Sequence, residues 1–506
     1  MATNGTSRID FTVFNNVING KLTSTSTTRN GINPATGEKN PDVPVSTDED
    51  LDRAVTAAKA AQQPWARLSW EERAAKLRAY ADLVSTYREE LVNLVISEQG
   101  KAYSLAQDEF ERVLKNLYLP LQLSIPDKWT KGTEDFHAVV RYLPIGVACA
   151  LVPWNYPMMV LVGKLVPALL AGNVLIAKPS PDTPYCGLKL IELGMQIFPP
   201  GVLQCLSGDH DLGPKFTAHP GIDKVSFTGS VRTGKLVMAS CAKTLKRVVL
   251  EVGGNDAAII CEDVDIDAVV LTIAQVGFLN SGQVCMILKR VYVHAAIYDR
   301  FASALVQFTK GLKVGPATDH ENFIGPLQNR TQYDKVMKYV KQIESEKQRV
   351  LLGGSAAESE QGYYITPTII DNPPDSTSIT QDEQFGPILP LLRWEGSDDD
   401  VVARANSNPM GLGGSVWSRD VGRAERMARQ LEAGTVWVNT HLEVSPLVPF
   451  GGHKSSGLGA EWGVNGLKSW CNSQTLWLPR GADKGSNAEK SGELLQAQDK
   501  YNVGFF

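Results

Sequence analysis

A cysteine delivered by a tight turn is the first residue with the means to do chemistry. In Asn280-Ser-Gly-Gln-Val-Cys285 the glycine lets the chain bend sharply and sets a thiol between Val284 and Met286. A thiolate attacks carbonyl carbons well, but with a reference pKa of about 8.5 few thiols are ionised near neutral pH, so a base or helix N-terminus must lie close by. Glu251 is the candidate base. It ends the apolar run Val-Val-Leu-Glu251, just before the pair Gly253 and Gly254 that allows close backbone or ligand approach. Burial there raises a carboxylate's pKa, which suits a base that activates water; the alternative is a core carboxylate satisfied by its neighbours. Asn155 is the third candidate, held between Pro153 and Pro157 at the end of a β-rich run. Its amide can donate to a developing oxyanion, a contribution of roughly 3–4 kcal/mol, although an isolated strand-end asparagine is as readily a turn former.

A second group of residues points to a nucleotide. Phe227-Thr-Gly229-Ser230-Val-Arg-Thr-Gly234-Lys235 follows a strand-like run and opens a helix-like one, so its backbone N–H groups can hold a pyrophosphate. The spacing also approaches a phosphate loop, which makes an NTP-hydrolysing protein the second reading; against it, Leu236 stands where a magnesium-binding hydroxyl is needed. No GxGxxG or GxSxG motif occurs. Asp263, Asp265 and Asp267 resemble the opening of a calcium loop, but the glycine is missing and position 274 is Ala274, so these acids are read as a helix start and no metal is expected.

The elements that position these residues follow from pattern. Thr47 with Asp50, and Ser69 with Glu72, have capping-box spacing, and Leu51, Ala54, Val55, Ala58 and then Leu77, Tyr80, Ala81, Val84 follow at helical intervals. From Ile145 short β-rich runs alternate with helical stretches, the signature of an α/β protein with a parallel sheet, whose strand ends are the expected ligand sites. A second such alternation runs from Asp256 to about Trp437, and the segments 126–142 and 473–478 read as extended pieces outside both cores that pair between subunits.

Composition narrows the function classes. The 506 residues call for several domains, and 43% apolar with 21% charged residues indicates a folded chain. A net charge of -5 gives no reason to bind nucleic acid or an anionic membrane. The most apolar stretch, 157–176, is broken by Lys164, Pro167 and Asn173, and is read as a buried helix followed by a strand. No targeting segment is recognisable at the start, and the cysteines Cys149, Cys186, Cys205, Cys241, Cys261 and Cys471 are read as small buried hydrophobes. A reducing, cytoplasmic setting is expected.

Taken together, PWNYP, GNVLIAKPS, FTGS, LEVGG, NSGQVC, EQFGP and PFGGHKSSG occur in an order that resembles the aldehyde dehydrogenase superfamily, from about residue 15 to residue 480. The resemblance implies Cys285 as nucleophile, Asn155 with the Cys285 backbone N–H as oxyanion donors, Glu251 as the base for deacylation and Lys164 in a proton relay. It places Trp154, Lys178, Gly213, Gly229, Ser230, Val252, Glu383 and Phe385 around NAD or NADP. Pro181 stands where many NAD-preferring members carry a glutamate, which leaves room for NADP. The implied substrate pocket is Val160, Gly163, Val284, Met286, Val444 and Phe450, with Gly163 where a bulky aromatic often sits, so a wide channel for aromatic or long-chain aldehydes is expected.

The architecture implied is a Rossmann-type NAD(P)-binding domain (1–122 and 144–254), an α/β catalytic domain (255–470), a β-rich oligomerisation arm (123–143 and 471–482) and a tail (483–506), assembled as a homodimer or homotetramer. The wording TLKRVVLEVGGNDAAI is most similar to a branch with members in fungal secondary-metabolite pathways, which implies a polyketide-derived aromatic aldehyde as substrate.

Overall fold

Thr47 and Ser69 each accept a hydrogen bond from the backbone N–H three residues on, and the Asp50 and Glu72 carboxylates accept one from the cap's own N–H. The helices Asp48–Ala66 and Trp70–Ser85 start there and bury the apolar stripes read from the sequence. The structure is a computed structural model that describes residues 8–130, 132–357 and 361–480. The expected tail, 483–506, and arm residues 481 and 482 lie outside the described residues.

Eight strands form the first sheet, in the order Lys21–Thr23, Asn16–Ile18, Leu203–Cys205, Val174–Lys178, Val147–Leu151, Lys224–Thr228, Arg247–Glu251, Gly457–Leu458. The central strands run parallel, and their register sets Leu151 beside Lys178 and Phe227, and Thr228 beside Glu251. Their C-terminal ends therefore share one edge. Strand order reverses at Val147–Leu151, because the next strand in sequence lies on one side of it and Lys224–Thr228 on the other. Such a reversal opens a crevice at the strand ends, where ligands of open α/β sheets bind.

The segment read as a buried helix and strand is the helix Pro157–Leu170 followed by Val174–Lys178. Being apolar on nearly all sides, the helix is enclosed on all sides, Lys164 included. Among the described residues no helix is long and apolar enough to cross a membrane.

The second sheet has seven strands, ordered Val350–Leu352, Thr368–Asp371, Ile388–Trp394, Leu288–His294, Asp256–Ile260, Gly413–Trp417, Thr435–Val438, all parallel except the first. Glu251 ends a strand of the first sheet and Asp256 begins one of the second, so Gly253 and Gly254 cross the junction. Asp265 caps the helix Ile266–Gly277 by accepting from Ala268 N, the helix-start role read for these acids. The two extended segments pair with each other: Phe136–Pro144 lies antiparallel to Cys471–Pro479, with Lys128–Thr130 on its other side.

Candidate active site

The two sheets bring their reactive residues to one place. Glu251 arrives at the end of a first-sheet strand, while Cys285 is carried by the turn that leads into the second-sheet strand Leu288–His294. That turn is wound left-handed at Asn280, Ser281 and Gly282, with φ of 49°, 58° and 78°. Only glycine fits the last position, because a Cβ there would lie 2.0 Å from the carbonyl oxygen of Gly386. The Lys289 ammonium ties the turn down by donating to the carbonyls of Val284 (2.8 Å) and Cys285 (2.7 Å).

The Cys285 thiol donates to Glu251 Oε1 at 3.3 Å, and Thr228 Oγ1 donates to Glu251 Oε2 at 3.1 Å. Burial, with the Glu461 carboxylate adding to it, pushes the Glu251 carboxyl up to about 7, while Lys164 opposes the shift. Burial and the neighbouring Glu251 likewise push the Cys285 thiol well above its ordinary range, against the pull of Lys289. The resting pair is therefore a neutral thiol beside a carboxylate whose affinity for a proton is tuned to neutral pH.

Asn155 follows the strand Val147–Leu151 and lines the same pocket. Its Nδ2 donates to the Gln283 carbonyl at 2.9 Å, which fixes the amide and leaves a second N–H for an oxyanion. The loop carrying it is anchored by Lys101, whose Nζ donates to the Asn155 carbonyl (3.0 Å) and to Glu109 (2.5 Å). Glu109 in turn accepts from the N–H groups of Met158 and Met159, where a carboxylate favours the helix start. Lys164 projects from that helix to pair with Glu461 and donates to Ser226 Oγ at 3.0 Å. Glu461 reaches the pocket and Lys164 stands behind it.

The pocket beside Cys285 is walled by Tyr156, Met159, Leu279, Leu442 and Trp462 together with the expected Val160, Gly163, Val284, Met286 and Phe450. Two expectations are corrected. Val444 does not line the pocket; the chain turns left-handed at Leu442 (φ 74°), and Leu442 takes that part of the wall. The channel is not widened at Gly163 either, because the Trp462 indole packs there, its nitrogen 3.0 Å from where a Cβ would stand. The aromatic surface is supplied from a distant segment instead, with Trp462 resting 5.2 Å from the Phe450 ring centroid.

A longer cleft runs along the strand ends of the first sheet. Trp154, Lys178, Gly213, Gly229 and Ser230 all line it, with Pro181, Asp182, His210 and Thr217. Ser230 caps the helix Val231–Ala242 by accepting from Thr233 N. At Gly213 a Cβ would project into open space, with only Lys178 Cε at 4.0 Å. A glycine-edged cleft that ends at a helix N-terminus, with a lysine in its wall, fits a dinucleotide.

Val252, Glu383 and Phe385 do not line this cleft. Val252 packs under the helix at Gly234, while Glu383 accepts from Gly254 N at 3.1 Å and pairs with Lys289 at 3.7 Å. Phe385 meets the Trp154 ring edge-on at 5.4 Å. Thr228 borders both the cleft and the pocket, so the two spaces share a wall.

Sequence reasoning missed Thr228, Glu461, Trp462, Lys101, Glu109 and Arg112. For Thr228 a signal existed, since it ends a strand just before Gly229; the others are single residues that no local pattern marks.

Comparison with known proteins identifies the family. Residues 22–476 match the Aldehyde dehydrogenase family. The aldehyde dehydrogenase LUC3 of a Fusarium species is 39% identical over 471 residues, covering 93% of this chain and all of the relative. The geranial dehydrogenase of Castellaniella defragrans is 34% identical over 461 residues, covering 90% of this chain and 96% of the relative. Among solved structures, the NAD+ complex of an aldehyde dehydrogenase from Bacillus cereus superposes with a TM-score of 0.90 at 33% identity, over 92% of this chain and 96% of that one. The chain therefore belongs to the aldehyde dehydrogenase family and is an NAD(P)-dependent aldehyde dehydrogenase.

Proposed function

We propose that the protein oxidises a bulky apolar or aromatic aldehyde to its carboxylic acid, through a thiohemiacetal and then a thioester on Cys285. The observation that carries this reading is the Cys285 thiol hydrogen-bonded to Glu251 inside an apolar, aromatic-walled pocket that adjoins the cofactor cleft.

The thiol proton passes to Glu251 Oε1 as Sγ bonds to the carbonyl carbon, and the resulting oxyanion is held by the Asn155 amide with the Cys285 backbone N–H. NAD or NADP, held in the cleft by Trp154, Lys178 and Ser230, would supply the acceptor for the hydride that leaves that carbon. Glu251, free of its proton again, then takes one from water as the water oxygen attacks the thioester carbonyl, and passes it to Sγ as the C–S bond breaks, which returns the thiol. Glu461, joined to Lys164 and Ser226, is the group beside Glu251 through which the surplus proton leaves.

Trp154, Lys178, Gly213, Gly229 and Ser230 hold the cofactor in this reading, with Val252, Glu383 and Phe385 shaping the cofactor site from behind the cleft wall. Pro181 leaves no carboxylate at its own position against a 2′-phosphate, and Lys178 stands beside it, so NADP is accommodated along with NAD. The apolar wall and a relative named for geranial support an apolar substrate, and the likeness to an aldehyde dehydrogenase of Fusarium is in keeping with the fungal branch to which the sequence is similar. The free cysteines suit a reducing compartment, the cytoplasm.

The test is direct. Cys285→Ala abolishes reduction of NAD or NADP across an aldehyde panel while binding of either cofactor, followed by calorimetry, persists. Glu251→Gln slows thioester breakdown more than its formation in single-turnover kinetics. Turnover by the Cys285→Ala protein would sink the mechanism.

A further inference from the structure

The pocket beside Cys285 is polar at its catalytic end and largely apolar along its walls, where the Tyr156 hydroxyl and the Trp462 indole are joined by a charged side chain, Arg112. Arg112 projects from the helix Tyr103–Tyr118, and its side chain keeps 29% of its surface exposed. Its Nε donates to Asp108 Oδ2 at 2.6 Å, one helical turn away. Neither Nη donates to any described protein atom, and neither is sealed off from space. A guanidinium carries five N–H donors, so four remain unclaimed beside an apolar cavity. A surface pair at this spacing adds little to a helix and needs no pocket, so the pairing alone does not account for an arginine in this wall.

The charge around it narrows what the donors can take. Asp108 offsets the guanidinium charge directly, and the Glu443 carboxylate also acts on it. A carboxylate on the substrate would meet both acids, whereas a neutral carbonyl, ether or hydroxyl oxygen would meet only the N–H donors.

Resting on the aldehyde-oxidising reading, we propose that Arg112 is a specificity-determining residue. Its free Nη groups donate to a neutral acceptor oxygen at the end of the substrate remote from the aldehyde. The substrate class is thereby an oxygenated apolar aldehyde, its ring or chain lying along Phe450 and Trp462 and its distal oxygen reaching Arg112.

Matched aldehydes test this. 4-Acetylcinnamaldehyde and 4-isopropylcinnamaldehyde have nearly the same shape but differ in a distal acceptor, and the corresponding benzaldehydes give a shorter pair. The quantity read is the ratio of kcat/KM within a pair, compared between the wild type and Arg112→Met. That comparison cancels the effect of the acetyl group on aldehyde reactivity. For at least one pair the ratio is expected to fall by about tenfold or more in Arg112→Met, chiefly through KM, and to recover in part in Arg112→Lys. A merely structural arginine would lower both members of a pair together. An unchanged ratio in every pair overturns the proposal, as does a wild-type preference for 4-carboxycinnamaldehyde. If the isopropyl compounds are oxidised without discrimination, only this inference falls; if no aldehyde is oxidised, the functional reading falls with it.

Discussion

At the scale of single residues, the chemistry turns on which of two neighbours holds a proton. Glu251 takes up its proton at about 7 because burial removes water from the carboxylate and Glu461 adds like charge nearby. Below that pH it is protonated and cannot accept the Cys285 proton, so the rate of aldehyde oxidation is expected to rise with pH through about 7. In Glu251→Gln that limb of the profile should vanish; a wild-type limb retained in the variant would assign the titration elsewhere. The same shift bears on stability with a definite sign. A carboxyl whose folded pKa lies above its unfolded value of 4.5 binds its proton more tightly when folded. Its favourable contribution is present in full below the unfolded value and is lost as pH rises through about 7. Relative to the wild type, Glu251→Gln should therefore gain in urea midpoint on going from pH 5 to pH 8.

At the scale of elements, the site depends on a turn more than on any helix or strand. Asn280, Ser281 and Gly282 run left-handed in succession, and the last abuts the Gly386 carbonyl. Gly282→Ala is expected to lower stability by more than about 1 kcal/mol and, by shifting the turn, to reduce kcat in the folded fraction. Chemical denaturation with activity per folded molecule reads both, and a fully active, equally stable variant would contradict it.

What the sequence made legible were features written in a few adjacent residues: the capping boxes at Thr47 and Ser69, the strand-end placing of Glu251, the glycine turn before Cys285, the strand-to-helix passage at Gly229 and Ser230. What it hid were contacts between distant segments. Gly163 alone suggested an open channel, yet Trp462 crosses from the far end of the chain to fill it. Val444, likewise, is not among the residues that line the pocket, where Leu442 stands instead.

At the scale of the molecule, the three-stranded sheet ends abruptly. Cys471–Pro479 pairs with Phe136–Pro144 on one side, and on the other no strand among the described residues takes up its backbone donors and acceptors. Trp477 on that strand is 56% exposed and Phe136 opposite its end is 39% exposed. An open edge with exposed aromatics is a surface for strand pairing, and proteins that keep such an edge usually cover it. A second copy can cover it by symmetry, since the same strand can meet its own counterpart antiparallel about a two-fold axis. The wild type is therefore expected to be a dimer or tetramer by light scattering. Trp477→Asp, which places a charge on the paired edge, should shift it to a smaller assembly that still reduces NAD or NADP with an aldehyde. An unshifted mass for that variant would place the contact between subunits elsewhere.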